Sequence, residues 1–357
     1  MNPLLELNSF GQSVWLDYIR RDFITSGGLQ KLMIEDGLAG MTSNPAIFEK
    51  AIGGGNEYSA AIGTLKAKGL GATELYEALA VEDIQTAADQ FKPVYEASKG
   101  HDGYVSLEVS PYLARDTAAT VAEGRRLWKE VARPNLMVKV PGTAEGLPAI
   151  ELLISQDINV NVTLLFSRAV YEQVAERYIA GLERRAAEGG DLGRVASVAS
   201  FFVSRIDSAV DPLVPEALRG KTAIANAILA YASYKRIFSG IRWENLAEKG
   251  ARPQRLLWAS TSTKNPAYRD VMYVEELIGT NTVNTLPPAT LEAFRDHGKP
   301  RASLEEDVDA ARATLDAVAT HVSLDEITAK LTVDGVKLFA DAFDKLLAAV
   351  EAARKAA

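Results

Sequence analysis

A regular alternation constrains this chain more than any other feature. From the N-terminus to about residue 297, short apolar segments alternate with longer stretches whose apolar residues recur at helical spacing. The predicted strands are Ser13–Tyr18, Gly37–Ser43, Gly103–Ser110, Leu136–Pro141, Ile158–Phe166, Arg194–Val203, Arg255–Thr261 and Thr282–Leu286. Several are rich in Val, Ile and Leu without clean alternation, the pattern of strands covered on both faces. The predicted helices are Glu74–Ala97, Thr117–Val131, Glu145–Ser155, Ser167–Ala187, Thr222–Phe238 and Tyr268–Ile278. Asn44-Pro45 reads as an N-cap followed by proline at the first helical position, and Gly189-Gly190 and Gly279 stand where helices should end. Roughly eight strand–helix units in about 290 residues match the count and length of a (β/α)8 barrel. A doubly wound open sheet is the rival, but no G-x-G-x-x-G follows any strand. The expectation is therefore an α/β fold, a (β/α)8 TIM barrel. After Pro300 the pattern becomes helical and Ala-rich, with Ser303-x-x-Glu306 and Ser323-x-x-Glu326 as capping boxes. Residues 1–357 are expected to form one barrel domain, with 300–357 a C-terminal helical extension packed on it.

In such a barrel, side chains at the C-terminal ends of the strands face one open pocket. The predicted strand ends deliver Asp17, then Thr42, Ser43 and Asn44, then Glu108 and Ser110, then Lys139. The fifth strand delivers Asn159, Asn161 and Thr163, the sixth Ser200 followed by Arg205, and the seventh Ser260 and Thr261 with Lys264 nearby. A core built only for stability would place Val, Ile, Leu and Ala there. Lys139 is the sharpest of these residues, because an ammonium inside Leu136-Met137-Val138-Lys139-Val140-Pro141 is costly to bury. Desolvation disfavours the cation, and a neutral amine in an apolar barrel is a nucleophile suited to Schiff-base formation with a ketone or aldehyde. Asp17 closes an apolar strand and can shuttle the proton of a hydroxyl beside a breaking carbon–carbon bond. Otherwise it caps the strand or pairs with Arg20 or Arg21. Glu108 can move protons during carbinolamine dehydration, or can simply neutralise Lys139. Thr163 can orient a water between Glu108 and the amine.

The remaining composition narrows the chemistry. The chain has no cysteine, which removes disulfides, thiol nucleophiles and iron–sulfur clusters. His101, His297 and His321 are far apart in sequence and share no metal-ligand spacing, so a metal-dependent barrel hydrolase is not expected. Gly53-Gly54-Gly55 lacks the Gly-Lys-Ser/Thr ending of a phosphate loop and reads as a turn. With a net charge of −8 and scattered aromatics, neither nucleic acid nor a membrane is an expected partner. No stretch approaches the ~18 apolar residues of a membrane span, and Met1–Phe10 does not read as a secretory signal, so a cytoplasmic enzyme is expected.

Met41-Thr42-Ser43-Asn44-Pro45, Lys139 in its strand, Ile158–Ser167 and Ser200-Phe201-Phe202-Val203-Ser204-Arg205 together resemble transaldolase, from about residue 10 to about residue 295. The similarity is to the longer bacterial form. The resemblance implies a pentose phosphate pathway transferase with a class I mechanism that uses no metal or cofactor. Lys139 would form the Schiff base with sedoheptulose 7-phosphate or fructose 6-phosphate, and Asp17 would take the C4 hydroxyl proton as the C3–C4 bond breaks. Glyceraldehyde 3-phosphate or erythrose 4-phosphate would then accept the dihydroxyacetone unit. Glu108 and Thr163, with a water, would serve Schiff-base formation and release. Asn44, Asn161 and Ser200, with Thr42 nearby, would bind donor hydroxyls, and Arg205 would bind phosphate. By the same resemblance, shorter transaldolases carry a second phosphate-binding arginine after Ala-Ser on the seventh strand. Here Ala259-Ser260 runs on to Lys264, a point charge in place of a bidentate fork. The expected partners are sugar phosphates, and the expected assembly is a monomer or homodimer.

Three rival readings follow from the same residues. A fructose-6-phosphate aldolase of the same superfamily would carry glutamine at the position of Glu108 and tyrosine at that of Phe202. A pyridoxal-phosphate barrel would also use a lysine imine. A sugar-phosphate-binding barrel without turnover accounts for Arg205 and the polar ring, but not for an amine flanked by carboxylates.

Overall fold

A computed structural model describes residues 2–356. Eight parallel strands close into a barrel in sequence order. They are β1 (Gln12–Asp17), β2 (Gly40–Thr42), β3 (Tyr104–Glu108), β4 (Leu136–Pro141), β5 (Val160–Leu165), β6 (Ser197–Phe202), β7 (Arg255–Ala259) and β8 (Thr282–Leu286). β4 and β8 span the predicted residues, β1 keeps its predicted length but starts one residue earlier, and the others are shorter than their apolar runs. The loss falls at their ends, where the chain turns away from the ladder and the functional side chains begin. Close packing imposes residue identity inside the ring. A Cβ on Gly40 would stand 2.5 Å from the ring of Trp15, the residue paired with it across β1 and β2.

The surrounding helices follow the amphipathic pattern, and Thr117–Val131 matches its predicted span. Asn44 caps the helix Pro45–Gly53, its side chain accepting from the Ile47 amide with Pro45 at the first position. Two helical expectations need correction. Tyr268–Ile278 is helical only over Met272–Glu275. Its first residues are held outward instead, with the Tyr268 hydroxyl donating to Asp211 and Arg269 donating to Glu275 and the His297 carbonyl. Ser303 caps no helix. Its hydroxyl donates to the Glu275 carbonyl and accepts from the Ile278 amide, while Asp307 caps the helix Val308–Ala319. The helix Leu324–Ala356 follows and lies against Pro45–Gly53, Ala72–Ala97 and the end of β5. Among the described residues, no helix is long and apolar enough to cross a membrane.

The N-terminal mouth is closed by a polar network in which the charged groups are paired. Asp102 accepts from Ser13, the Trp15 indole and the buried Arg255, and Arg255 also donates to the His101 carbonyl. Asn159 belongs to this end and not to the pocket. Its amide donates to the Pro134 and Leu136 carbonyls and accepts from the Ala196 amide, so it ties together the entries of β4, β5 and β6. The alternation along β5 places Asn159 on the same face as Asn161 and Thr163, but at the opposite end of the barrel.

Candidate active site

The C-terminal mouth holds a cavity of about 160 Å³. Asp17, Thr42, Asn44, Lys139, Thr163, Ser200, Phe202, Arg205, Ser260 and Lys264 line it, each from the end of its strand or the residues just beyond. Lys139 is 5% exposed, and its Nζ donates to the Ser43 carbonyl at 2.9 Å. Register pairs Lys139 with Glu108 on one side and Asn161 on the other. Glu108 approaches the amine at 3.7 Å, an ion pair longer than a hydrogen bond. One carboxylate oxygen of Glu108 makes no hydrogen bond among the described residues. Burial therefore dominates, pushing the Glu108 carboxyl up to about 7, while Lys139 opposes the shift and Asp17 adds to it.

Asp17 is also pushed above the usual carboxylate range by burial, against the pull of Lys139 and a hydrogen bond from Thr42. Thr42 Oγ1 donates to Asp17 at 2.7 Å and lies 2.7 Å from Thr285 Oγ1. A hydroxyl has one proton, so Thr285 must donate to Thr42, and the two threonines form a relay that fixes the carboxylate. Arg20 and Arg21 do not touch Asp17; they pair with Asp22 and Glu57, and with Glu82 and Asp83. The alternative of a strand-end salt bridge is thereby removed.

Two predicted residues stand behind the cavity wall. Glu108 also borders a smaller space of about 30 Å³ beside Tyr76, Glu77 and Phe343. Asn161 is fully buried, its amide donating to Ser106 and accepting from Ser200, so it reaches the cavity through the Ser200 hydroxyl. Thr163 Oγ1 is buried without a hydrogen-bond partner among the described residues. Its neighbour Leu164 has φ +60°, where the register of β5 against β6 shifts between Val162 and Leu165. A bulky residue there is strained by roughly 1–3 kcal/mol, and the bulge re-aims the strand end that carries Thr163.

At the outer rim, Arg205 makes no ion pair among the described residues and lies over the Phe202 ring at 5.4 Å. Lys264 donates to Ser262 at 2.6 Å, and its ammonium is disfavoured by burial and by the nearby Arg205. Two cations facing one cavity without a carboxylate between them make a site for a dianion. The sequence does not single out Ser262, Thr285, Pro287 or Phe339, which also line the cavity. Thr285 lies in β8 and Pro287 just after it, an end that carries no charge, and Phe339 sits in the distant C-terminal helix.

Comparison with known proteins points to one family. The family described as transaldolase/fructose-6-phosphate aldolase matches residues 14–350. A transaldolase of Trichodesmium erythraeum is 48% identical over 98% of this chain and 97% of its own. One of Thiobacillus denitrificans is 49% identical over 98% of this chain and 100% of its own, and one of Parafrankia is 50% identical over 97% and 96%. Matches of that length and identity place the chain in the transaldolase/fructose-6-phosphate aldolase family.

Proposed function

We propose that this enzyme is a transaldolase that moves a dihydroxyacetone unit from sedoheptulose 7-phosphate or fructose 6-phosphate to an aldose phosphate through a Schiff base on Lys139. The observation that carries the reading is the buried amine, with Glu108 at 3.7 Å, Asp17 within reach of its charge, and two cations at the rim of the cavity. The Lys139 amine attacks the ketose carbonyl carbon. Glu108, whose carboxyl is raised to about 7, is part acid and part base at neutral pH. It can therefore protonate the departing hydroxyl during dehydration and recover the proton on release. Thr163 has a free hydroxyl with which to orient water for both steps.

Asp17, held by the Thr42–Thr285 relay, takes the C4 hydroxyl proton as the C3–C4 bond breaks. The electron pair passes into the iminium to give an enamine, which attacks the incoming aldehyde, and Asp17 returns its proton. Arg205 and Lys264 hold the phosphate, while Asn44, Ser200 and Ser260 line the path of the sugar hydroxyls. Sugar phosphates are charged and do not cross membranes unaided, so the reading puts the enzyme with its substrates in the cytoplasm.

Borohydride reduction tests the covalent step. With fructose 6-phosphate present, the Lys139 peptide should gain the reduced dihydroxyacetone or ketose adduct, and without sugar it should stay unmodified. An unmodified Lys139 peptide under turnover conditions would sink the mechanism.

A further inference from the structure

We propose that Phe339, carried to the cavity by the C-terminal helix, is a wall of the substrate site that keeps water from the adduct on Lys139 and so commits that adduct to an aldose acceptor. The inference rests on the transaldolase reading above. Its starting point is the seating of the helix Leu324–Ala356. Gly335 is buried against β5, where a Cβ would stand 2.9 Å from the side chain of Leu164. Leu164 is the strained residue beside Thr163. Two turns further along, Phe343 packs edge-on against Tyr76 at 5.6 Å and Tyr112 at 6.1 Å. Leu346 and Val350 then bury completely. Positions 335, 339, 343, 346 and 350 share one helical face, so Phe339 is fixed from both directions.

Phe339 differs from its neighbours on that face. It is only half-buried, because its ring fronts the cavity as well as packing on the core. The ring centroid lies 5.9 Å from Lys139 Nζ. Asp17, Thr42, Thr163 and Ser200 supply polar surface to the same cavity, and the ring covers the amine with a face that can neither donate nor accept a proton. An aromatic face at this range also attracts a cation, so it favours the positively charged iminium over free amine and ketone.

The chemistry gives that cover a consequence. After C3–C4 cleavage, the enamine carbon has two fates. It can attack an aldehyde carbonyl, forming the new carbon–carbon bond, or it can take a proton from water to give the iminium of dihydroxyacetone. In the second case water adds to the iminium carbon, the carbon–nitrogen bond breaks, and dihydroxyacetone leaves with the Lys139 amine restored. The net reaction is then cleavage of fructose 6-phosphate into dihydroxyacetone and glyceraldehyde 3-phosphate. It needs no co-reactant, since the water added equals the water expelled when the Schiff base formed. An apolar wall beside the nitrogen slows the second fate without touching the first.

The test compares glyceraldehyde 3-phosphate formation from fructose 6-phosphate without and with erythrose 4-phosphate, expressed as a ratio of rates. Phe339→Ala should raise the ratio about tenfold or more, and Phe339→Leu, which keeps apolar cover, should raise it less. Val350→Ala removes packing from the same helix away from the cavity and should keep the wild-type ratio. An unchanged ratio in folded Phe339→Ala, or an equal rise in Val350→Ala, would overturn the assignment to this ring. Failure of the wild-type enzyme to transfer at all would instead overturn the transaldolase reading.

Discussion

The Glu108→Gln substitution asks whether burial controls the site's proton chemistry. In the folded enzyme Glu108 is raised from the ordinary 4.5 to about 7, with burial as the largest cause. Its folded value is the higher one, so between pH 4.5 and 7 the folded state holds a proton that the unfolded chain has released. The stability due to that proton is fully present below pH 4.5 and is lost as pH rises through 7. At about 1.36 kcal/mol per pH unit, the interval from 4.5 to about 7 amounts to about 3 kcal/mol. Glutamine carries no titrating proton, so the variant lacks this loss. It leaves Lys139 without its carboxylate partner, which lowers its stability curve as a whole, and the informative quantity is the slope. Urea unfolding at pH 5, 6, 7 and 8 and constant ionic strength, followed by tryptophan fluorescence, gives both curves. The variant should gain roughly 2–3 kcal/mol relative to wild type between pH 5 and 8. A difference constant with pH would show that Glu108 stays ionised when buried, and the argument that it serves as both acid and base near neutrality would fail.

Other outcomes follow from the same geometry. Arg205→Ala removes charge-assisted hydrogen bonds to phosphate, each ~1.5–3 kcal/mol, so kcat/KM for fructose 6-phosphate should fall roughly 10- to 150-fold. Lys264→Ala should cost less, about tenfold, because an ammonium makes no bidentate contact. Activity with unphosphorylated fructose should be nearly insensitive to either change, and an equal loss there would refute phosphate binding. Asp102→Ala leaves the buried Arg255 without its counter-charge and should destabilise the fold by about 3–5 kcal/mol. Because Asp102 lies at the opposite mouth, kcat at a temperature where the protein stays folded should be unchanged; a large loss of kcat would disprove that separation.

Much of the site is readable in the sequence because charged residues are conspicuous inside buried strands. Lys139, Asp17 and Glu108 interrupt apolar runs, and a barrel leaves such interruptions one place to go. What escapes the sequence is whatever resembles ordinary packing. Phe339 reads as one more apolar position on an amphipathic helix, and nothing local says that this helix crosses to the mouth. Thr285 is a threonine in a strand until its hydroxyl is seen 2.7 Å from Thr42. Asn159 fails for a related reason: periodicity gives the face of a strand but not the height along it, so a residue on the pocket-facing side can stand at the far end. Tyr268–Ile278 carries a helical pattern, but the contacts of Tyr268 and Arg269 with Asp211, Glu275 and His297 hold its first part out of the helix.

The two mouths of the barrel show how one fold separates stability from chemistry. Both bury charge. At the N-terminal mouth Arg255 and Asp102 are enclosed in complementary hydrogen bonds, and Asn159 uses both ends of its amide. At the C-terminal mouth the buried groups are left unsatisfied. Glu108 has an oxygen without a hydrogen bond, Thr163 a hydroxyl without a partner, and Arg205 no counter-charge among the described residues. Leu164 near the end of β5 and Ser260 just past β7, the two strands that flank β6, both hold φ near +60°. Each of these costs free energy that an apolar core would not incur. They persist because the closed ring and the well-partnered opposite mouth fix the strands that carry them. The unsatisfied groups are those that a bound sugar phosphate and its water would complete. The charged groups therefore distinguish the two ends: Arg255 and Asp102 satisfy each other at one, while Glu108 and Arg205 keep unfilled hydrogen-bonding capacity at the other.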